Sequence, residues 1–190
     1  PQLKDITTPL DFTEDLLFPV LFVLLGSTLG NFEPGADADL LRNVRSSMKE
    51  GDLFLLGADL RPGREKSVEL LEAAYNDAHG VTAQFNLNIL ANLNREVETD
   101  FDLSAFQHEA LYLDEFGRIE MHLVALSPQE VRIPGKEPIR IAEGESIRTE
   151  LSCKYDRPTV DGLFGEAGLR VDRWCDDEDG LYSMVLGSPV

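Results

Sequence analysis

The sequence predicts an α/β fold that is interrupted by an α+β insertion. The first observation is a strand, helix and strand pattern between Phe18 and Gly57, which is typical of a βαβ unit with parallel strands. The second is a group of alternating strand patterns in the middle of the chain, which indicates an antiparallel sheet. The third is the return of an α/β pattern after Pro158. With 190 residues the chain has room for one domain or two small ones.

The βαβ unit follows a predicted loop over residues 1–15. Phe18–Leu25 is a continuous apolar run bounded by turn residues, which predicts a buried parallel strand. Asp37–Glu50 predicts an amphipathic helix that ends at Gly51. Asp52–Gly57 predicts the second buried strand. The apolar positions that share one face of the predicted helix are Leu40, Leu41, Val44 and Met48.

The insertion is predicted to contain two helices and several antiparallel strands. The helices cover Glu65–Ala78, closed by Gly80, and Phe85–Glu98. The predicted strands are Leu111–Leu113, Arg118–Ala125, Gln129–Ile133 and Glu145–Tyr155. Arg118–Ala125 alternates apolar and polar residues, so it is predicted to be buried on one face only.

The last segment predicts a short helix that ends at Gly168, followed by two strands. Leu169–Asp176 and Gly180–Gly187 flank an acidic turn. Such a turn suits an antiparallel hairpin, which we expect at an edge of the sheet.

The composition excludes several classes of function. The net charge is −18, from 17 basic and 35 acidic residues, so the surface repels nucleic acid. The longest apolar run, Leu16–Leu25, contains Pro19 and is too short to span a membrane, and no secretory signal is visible. Two cysteines indicate reduced thiols in a cytoplasmic protein. The three histidines lack the spacing of a zinc site, so no metal is expected.

Small polar residues follow the first predicted strand, in the sequence GSTLGN. Ligands of open α/β sheets bind at the carboxyl ends of the strands, which is where this segment lies. The amide of Asn31 could accept a hydrogen bond from an amine and donate one to a carboxylate, so it could hold an amino acid. Alternatively, the segment is a turn that caps the next helix.

Four further positions have both a functional and a structural interpretation. Glu150 and Ser152 share one face of a predicted strand, and together they suit a planar ring with two nitrogens, such as imidazole. Alternatively, they form an exposed polar face. Tyr75 and Thr82 flank Gly80. Both Tyr75 and Met121 could contact a ligand or pack in the core. No catalytic triad, phosphate-binding loop or metal cluster is visible in the sequence.

Five segments, in this order, resemble a known family. They are FVLLGSTLGNFEP, GDLFLLGADL, AAYNDAHGVTAQFNLNILANLNRE, RIEMHLVA and EGESIRTELSCKY. The chain resembles, from about Asp11 to its C-terminus, the histidine-specific methyltransferases that depend on S-adenosylmethionine, a family known from ergothioneine biosynthesis.

The resemblance implies the C-terminal half of a Rossmann-type class I methyltransferase domain, an α/β fold with an inserted α+β substrate domain. Residues 1–61 and 153–190 are then the partial methyltransferase domain, and residues 62–152 are the substrate-binding insertion. The implied activity is methylation of the α-amino group of L-histidine, with S-adenosylmethionine as the cofactor.

The resemblance also implies the residues of the site. Asn31 binds the amino and carboxylate groups of the substrate and positions the amine. Tyr75 and Thr82 line the pocket, Met121 packs against the side chain, and Glu150 with Ser152 recognises the imidazole. Gly26 and Ser27 border the cofactor. No protein group is expected to act as a catalytic nucleophile, acid or base.

The sequence departs from the family pattern because it has no G-x-G-x-G loop for the cofactor. We therefore expect a C-terminal fragment that is inactive alone. We also expect an open sheet edge that pairs with a missing N-terminal segment or with a second copy. Two alternatives remain: a relative that methylates another amino acid or an indole amine, and a non-catalytic remnant that binds a ligand.

Overall fold

The computed structural model describes residues 5–8, 10 and 17–190, and it divides the chain into two compact units. The first unit contains the residues up to Lys66 and those from Ser152 to Val190, and the second contains Ser67–Leu151. Most of the predicted loop over residues 1–15, and Leu16 at the start of the apolar run, lie outside the described residues.

A mixed four-stranded sheet forms the centre of the first unit. Its strands are β1 (Leu21–Leu24), β2 (Leu53–Asp59), β8 (Leu169–Asp176) and β9 (Tyr182–Pro189), in the order β1-β2-β9-β8. β1 and β2 are parallel, while β9 is antiparallel to both β2 and β8. The predicted βαβ unit and the C-terminal hairpin at the sheet edge are therefore confirmed.

Two helices pack their apolar sides into the core of this unit. They are α1 (Ala36–Ser46) and α4 (Arg157–Ala167), the latter ending at Gly168 in the left-handed conformation, as predicted. All four apolar positions of the predicted helix face are buried, although Met48 lies just beyond the end of α1. The core joins these residues to Phe54, Leu56, Val160, Phe164 and Val185.

The structure corrects two details of the first unit. β1 is shorter than the predicted strand and is not buried on both faces, since Leu21 is 52% exposed and Val23 is 49% exposed. The reason is that only one face of β1 is covered, since Phe22 and Leu24 pack against the core while Leu21 and Val23 lie on the opposite face. Among the described residues β1 also pairs with β2 alone, which leaves its other edge open. Gly51 does not end α1, which stops at Ser46; it lies in the turn before β2 instead.

The second unit contains two helices and a three-stranded sheet. The helices are α2 (Val68–Tyr75) and α3 (Val81–Glu96). The sheet has the order β3-β4-β7, from β3 (Phe106–Leu113), β4 (Arg118–Ala125) and β7 (Ser146–Cys153), whose last two residues belong to the first unit. β5 (Gln129–Val131) and β6 (Ile139–Ile141) form a separate hairpin.

Several predictions for this unit hold, and others do not. β4 has the predicted bounds and the predicted buried apolar face. Gly80 does not close α2; it is the residue that precedes α3, because the chain turns there between two helices. β6 was not predicted. Glu120, expected on the polar face of β4, is only 7% exposed because Arg118 and Arg148 bind its carboxylate.

Candidate functional site

The GSTLGN segment forms a tight turn at the carboxyl end of β1. Gly26 and Ser27 both have left-handed backbone angles, with φ of 76° and 58°, and a 3₁₀ helix follows over Thr28–Asn31. A left-handed serine is uncommon, and here its hydroxyl accepts a hydrogen bond of 3.2 Å from the backbone N–H of Asp59. This bond ties the turn to the end of β2.

The segment does not cap α1, so the capping interpretation is wrong. The residue before α1 is Gly35, and the carboxylate of Asp37 accepts from the N–H groups of Gly35 and Ala38. Asn31 is exposed, and no hydrogen bond of its side chain is present within the described part of the chain. Its amide is therefore available to a ligand.

Gly30 brings the turn into direct contact with the end of β7. A Cβ atom on Gly30 would lie 2.6 Å from the carbonyl oxygen of Cys153, which is closer than any side chain could stand. Asn31 is adjacent to Gly30, and Ser152 is adjacent to Cys153 in the sequence. Two predicted site residues that are distant in the chain thus lie on neighbouring backbone segments of the first unit.

A buried ionic cluster lies next to Ser152. The ammonium group of Lys154 donates to Asp59 Oδ2 at 2.6 Å and to Ser152 Oγ at 2.9 Å. Lys66 binds the other carboxylate oxygen of Asp59 and also the backbone oxygen of Leu60, the latter at 2.7 Å. The side chains of Lys154 and Lys66 are 0% and 7% exposed. The carboxylate of Asp59 therefore binds both lysines, and its backbone N–H donates to the hydroxyl of Ser27.

Tyr155, the residue that follows Lys154, lies in the core of the first unit. Burial raises the pKa of its hydroxyl, and electrostatic repulsion from Cys153 and Asp37 raises that pKa further. This raised pKa favours the neutral form of the phenol. Its oxygen is buried and has no hydrogen-bond partner within the described residues.

In the second unit, Tyr75 and Met121 belong to one apolar cluster. Met121 is 3% exposed and packs with Leu71, Ala110 and Ile119, and Tyr75 packs against this group. The backbone oxygen of Tyr75 accepts a bond of 2.9 Å from His108 Nε2, whose other ring nitrogen contacts Asn86. Because Asn86 Nδ2 donates to His108 Nδ1, the imidazole keeps its proton on Nε2 for Tyr75.

Thr82 lies in the first turn of α3, which Asp77 holds in place. The carboxylate of Asp77 accepts from the N–H of Thr82 at 2.7 Å and from that of Val81 at 3.0 Å. Hydrogen bonds from the backbone of Thr82, then from Val81, and then from the Thr82 hydroxyl lower the pKa of Asp77 to about 2. The carboxylate therefore stays ionised and stabilises the turn that carries Thr82.

The predicted site residues are divided between the two units. Asn31, Ser152, Gly26 and Ser27 belong to the first unit, and Tyr75, Thr82, Met121 and Glu150 to the second. Glu150 is half-buried near the end of β7.

The sequence reasoning missed the residues that support these positions. These supporting residues act through hydrogen bonds to the predicted site residues or to one another. They are Asp59, Lys66, Lys154, Asp77 and His108. A detectable signal was the pair of lysines, Lys66 and Lys154, that the chain carries just before and just after the second unit. Within residues 5–8, 10 and 17–190, no group of three or more His, Cys, Asp or Glu side chains is arranged to hold a metal ion. The helices there include none that is both long and apolar enough to cross a bilayer.

Comparison with known proteins identifies the family. The family model "Histidine-specific methyltransferase, SAM-dependent" matches residues 7–189. The histidine N-alpha-methyltransferase of Mycobacterium tuberculosis is 44% identical over 169 residues, which are 88% of this chain and 51% of that protein. The histidine N-alpha-methyltransferase of Mycolicibacterium smegmatis is 42% identical over 167 residues, which are 87% and 51% of the two chains.

A fungal relative matches over a similar part of the chain. Ergothioneine biosynthesis protein 1 of Neurospora crassa is 32% identical over 168 residues, which are 85% of this chain and 18% of that protein. The chain spans about half the length of the two mycobacterial relatives. Because the family model covers nearly the whole chain, the protein belongs to the family of histidine-specific, S-adenosylmethionine-dependent methyltransferases.

Proposed function

We propose that the full-length protein transfers a methyl group from S-adenosylmethionine to the α-amino group of L-histidine, a reaction of ergothioneine biosynthesis. The observation that carries the proposal is the contact of Gly30 with Cys153. Asn31, which suits the amino-acid backbone, follows Gly30 in the chain, and Ser152, which suits the imidazole, precedes Cys153, so the contact supports a shared site. The family and the similarity to two histidine N-alpha-methyltransferases support the same substrate.

We propose that Asn31 provides most of the positioning in the reaction. Its amide oxygen accepts from the substrate amine, and its NH₂ group donates to the substrate carboxylate. The neutral amine nitrogen forms the new bond to the methyl carbon as the bond from that carbon to sulfur breaks, and the nitrogen then releases a proton. Catalysis of this displacement is largely alignment, which fixed hydrogen bonds supply.

The substrate side chain is assigned to the remaining residues. In this proposal Glu150 accepts a hydrogen bond from one imidazole nitrogen, and Ser152 forms a hydrogen bond with the other. The pocket is lined by Tyr75, Thr82 and Met121. We assign residues 1–61 and 153–190 to a partial methyltransferase domain and residues 62–152 to a substrate-binding insertion.

Gly26 and Ser27 fit the border of a cofactor site. Gly26 is exposed, and a Cβ atom placed on it would meet no other atom within 4 Å, so the backbone there is open to a ligand. When bound, S-adenosylmethionine supplies the methyl group. The sequence contains no G-x-G-x-G loop, so these two residues account for only part of a cofactor site.

The open edge of β1 supports a proposal about association. Leu21 and Val23 on this strand, and Leu25 directly after it, are each about half exposed. Unpaired apolar edges favour pairing with another strand, so we propose that a second copy of the 190-residue chain associates here. Cys153 and Cys175 form no disulfide with each other, which supports a location in the reducing cytoplasm.

The test is a methyl-transfer assay on the full-length protein with L-histidine and S-adenosylmethionine. We expect histidine that carries one or more methyl groups on its α-nitrogen, identified by mass spectrometry with fragmentation. Methylation of a ring nitrogen, or turnover of an indole amine in preference to histidine, would contradict the proposal.

A further inference from the structure

A chain of hydrogen bonds in the second unit starts at the side chain of Asn86. This residue is fully buried in α3, and its Nδ2 atom lies 2.9 Å from His108 Nδ1 and 3.1 Å from the backbone oxygen of His122. The other ring nitrogen of His108 lies 2.9 Å from the backbone oxygen of Tyr75. The chain of bonds therefore joins residues of α2, α3, β3 and β4.

The partners of Asn86 fix the direction of each bond. A carbonyl oxygen only accepts, so the amide atom that faces His122 must be the nitrogen, which carries two hydrogens. The second hydrogen is donated to His108 Nδ1, so the neutral ring carries its own proton on Nε2. That N–H group donates to the backbone oxygen of Tyr75.

The amide of Asn86 is held in this orientation although its oxygen is left unpaired. Its Oδ1 atom is buried and has no hydrogen-bond partner among the residues that the structure describes. A buried unpaired acceptor destabilises a fold, but turning the amide over would place this oxygen against the backbone oxygen of His122. Asn86 therefore keeps the one orientation that directs His108 toward Tyr75.

The hydrogen bonds reach each element that carries one of the three residues proposed to line the pocket. Tyr75 is the last residue of α2, where a helix leaves backbone oxygens without donors of its own. Thr82 lies four residues before Asn86 and on the same side of α3. Met121 directly precedes His122 in β4. The three elements are thus tied to one another through a single chain of bonds.

We propose that His108 is a positioning residue that sets where Tyr75 stands in the substrate pocket and thereby determines the affinity for histidine. This inference rests on the proposed function, in which Tyr75 lines that pocket. His108 acts through the backbone of Tyr75 and not by touching the substrate. Asn86 acts one step earlier, because it keeps His108 in the tautomer that donates.

The test compares two replacements of His108 in the full-length protein. The amide of glutamine reaches the place of Nε2 and keeps a donor for Tyr75, whereas the shorter amide of asparagine reaches only the place of Nδ1. We expect His108→Asn to lower the affinity for histidine about fivefold, the effect of one net hydrogen bond, and His108→Gln to retain the affinity. Calorimetric titration measures both, and the affinity for S-adenosylmethionine should stay unchanged.

Asn94 provides a matched control for Asn86, because it lies eight residues further along the same helix. Its amide is also engaged, with bonds of 2.8 Å to the N–H and to the oxygen of Phe101. Asn86→Ser should weaken histidine binding, since the shorter side chain no longer fixes the tautomer of His108. Asn94→Ser should lower the melting temperature and leave histidine affinity unchanged. This pair decides the question if His108→Asn does not fold.

A double variant separates positioning from a general loosening of the fold. In a Tyr75→Ala background, His108→Asn should cause no further loss of histidine affinity, because the side chain that His108 positions is gone. Undiminished affinity in His108→Asn, or equal losses in Asn86→Ser and Asn94→Ser, would overturn the inference. Equal losses in His108→Asn and His108→Gln would overturn it as well. Wild-type protein that does not bind histidine would instead overturn the proposed function, and this inference with it.

Discussion

The α-carbon of Gly30 lies so close to Cys153 that a Cβ atom there would stand 2.6 Å from the Cys153 carbonyl oxygen. The two residues are separated by more than 120 positions in the sequence, yet their backbones are in direct contact. A glycine is required because the obstacle is backbone, which cannot move aside as a flexible side chain can.

Gly30→Ala should therefore weaken substrate binding as well as stability. We expect a loss of about 1–3 kcal/mol in the free energy of unfolding, as in other overpacked sites, and weaker binding of histidine because Asn31 is displaced. Urea denaturation and calorimetry measure the two effects. The control is Gly165→Ala in α4, where a Cβ atom meets nothing within 4 Å and where alanine should be neutral or stabilising. Equal behaviour of the two variants would show that the contact is unimportant.

Glu150→Ala should weaken histidine binding much more than cofactor binding. A hydrogen bond that involves a charged group contributes about 1.5–3 kcal/mol, so histidine affinity should fall about tenfold to a hundredfold. Titration of the full-length variant with histidine and, separately, with S-adenosylmethionine measures both. Unchanged histidine affinity would mean that Glu150 only forms a solvated strand face.

Asn31→Ala should affect all amino-acid substrates alike. The amide is assigned to the amino and carboxylate groups that every amino acid shares, so the loss should not depend on the side chain. The rate of methyl transfer should fall as well, because the amine loses its orientation. Steady-state kinetics with histidine and with a second amino acid tests this. A loss confined to histidine would contradict the assignment.

Asp59→Asn should strongly destabilise the fold. It leaves the buried ammonium groups of Lys66 and Lys154 without their shared carboxylate, and breaking a buried pair in this way costs about 3–5 kcal/mol. Asp172→Asn is the control, because its partner Arg170 is 64% exposed and such surface pairs contribute less than about 1 kcal/mol. Equilibrium unfolding of both variants gives the comparison, and similar values would show that Asp59 is dispensable.

The turn that carries Thr82 should lose stability in acid. The folded pKa of Asp77 is about 2, below its ordinary value of 3.8, so the fold favours the carboxylate. Its contribution is complete above pH 3.8 and is lost as the pH falls toward 2. Hydrogen exchange of the Val81 and Thr82 amides between these pH values reports the loss. Asp77→Asn should remove this pH dependence, and a variant that keeps it would show that another group is responsible.

The sequence by itself determined the local elements of this protein. The apolar periods of α1 and β4 and the turn residues of the C-terminal hairpin were sufficient, because these patterns act between neighbours in the chain. The apolar run of β1 and the GSTLGN segment after it also predicted that Asn31 follows the carboxyl end of this strand, where an open α/β sheet binds its ligands.

Only the tertiary structure decided how distant residues support one another. The contact of Gly30 with Cys153, and the pairing of Lys154 with Asp59, join segments that lie far apart in the chain. The exposure of Leu21 likewise depends on which elements cover each face of β1. Such features arise from close packing and from the need to pair buried charges. Neither leaves a periodic signal in the sequence, because both depend on which segments meet in space.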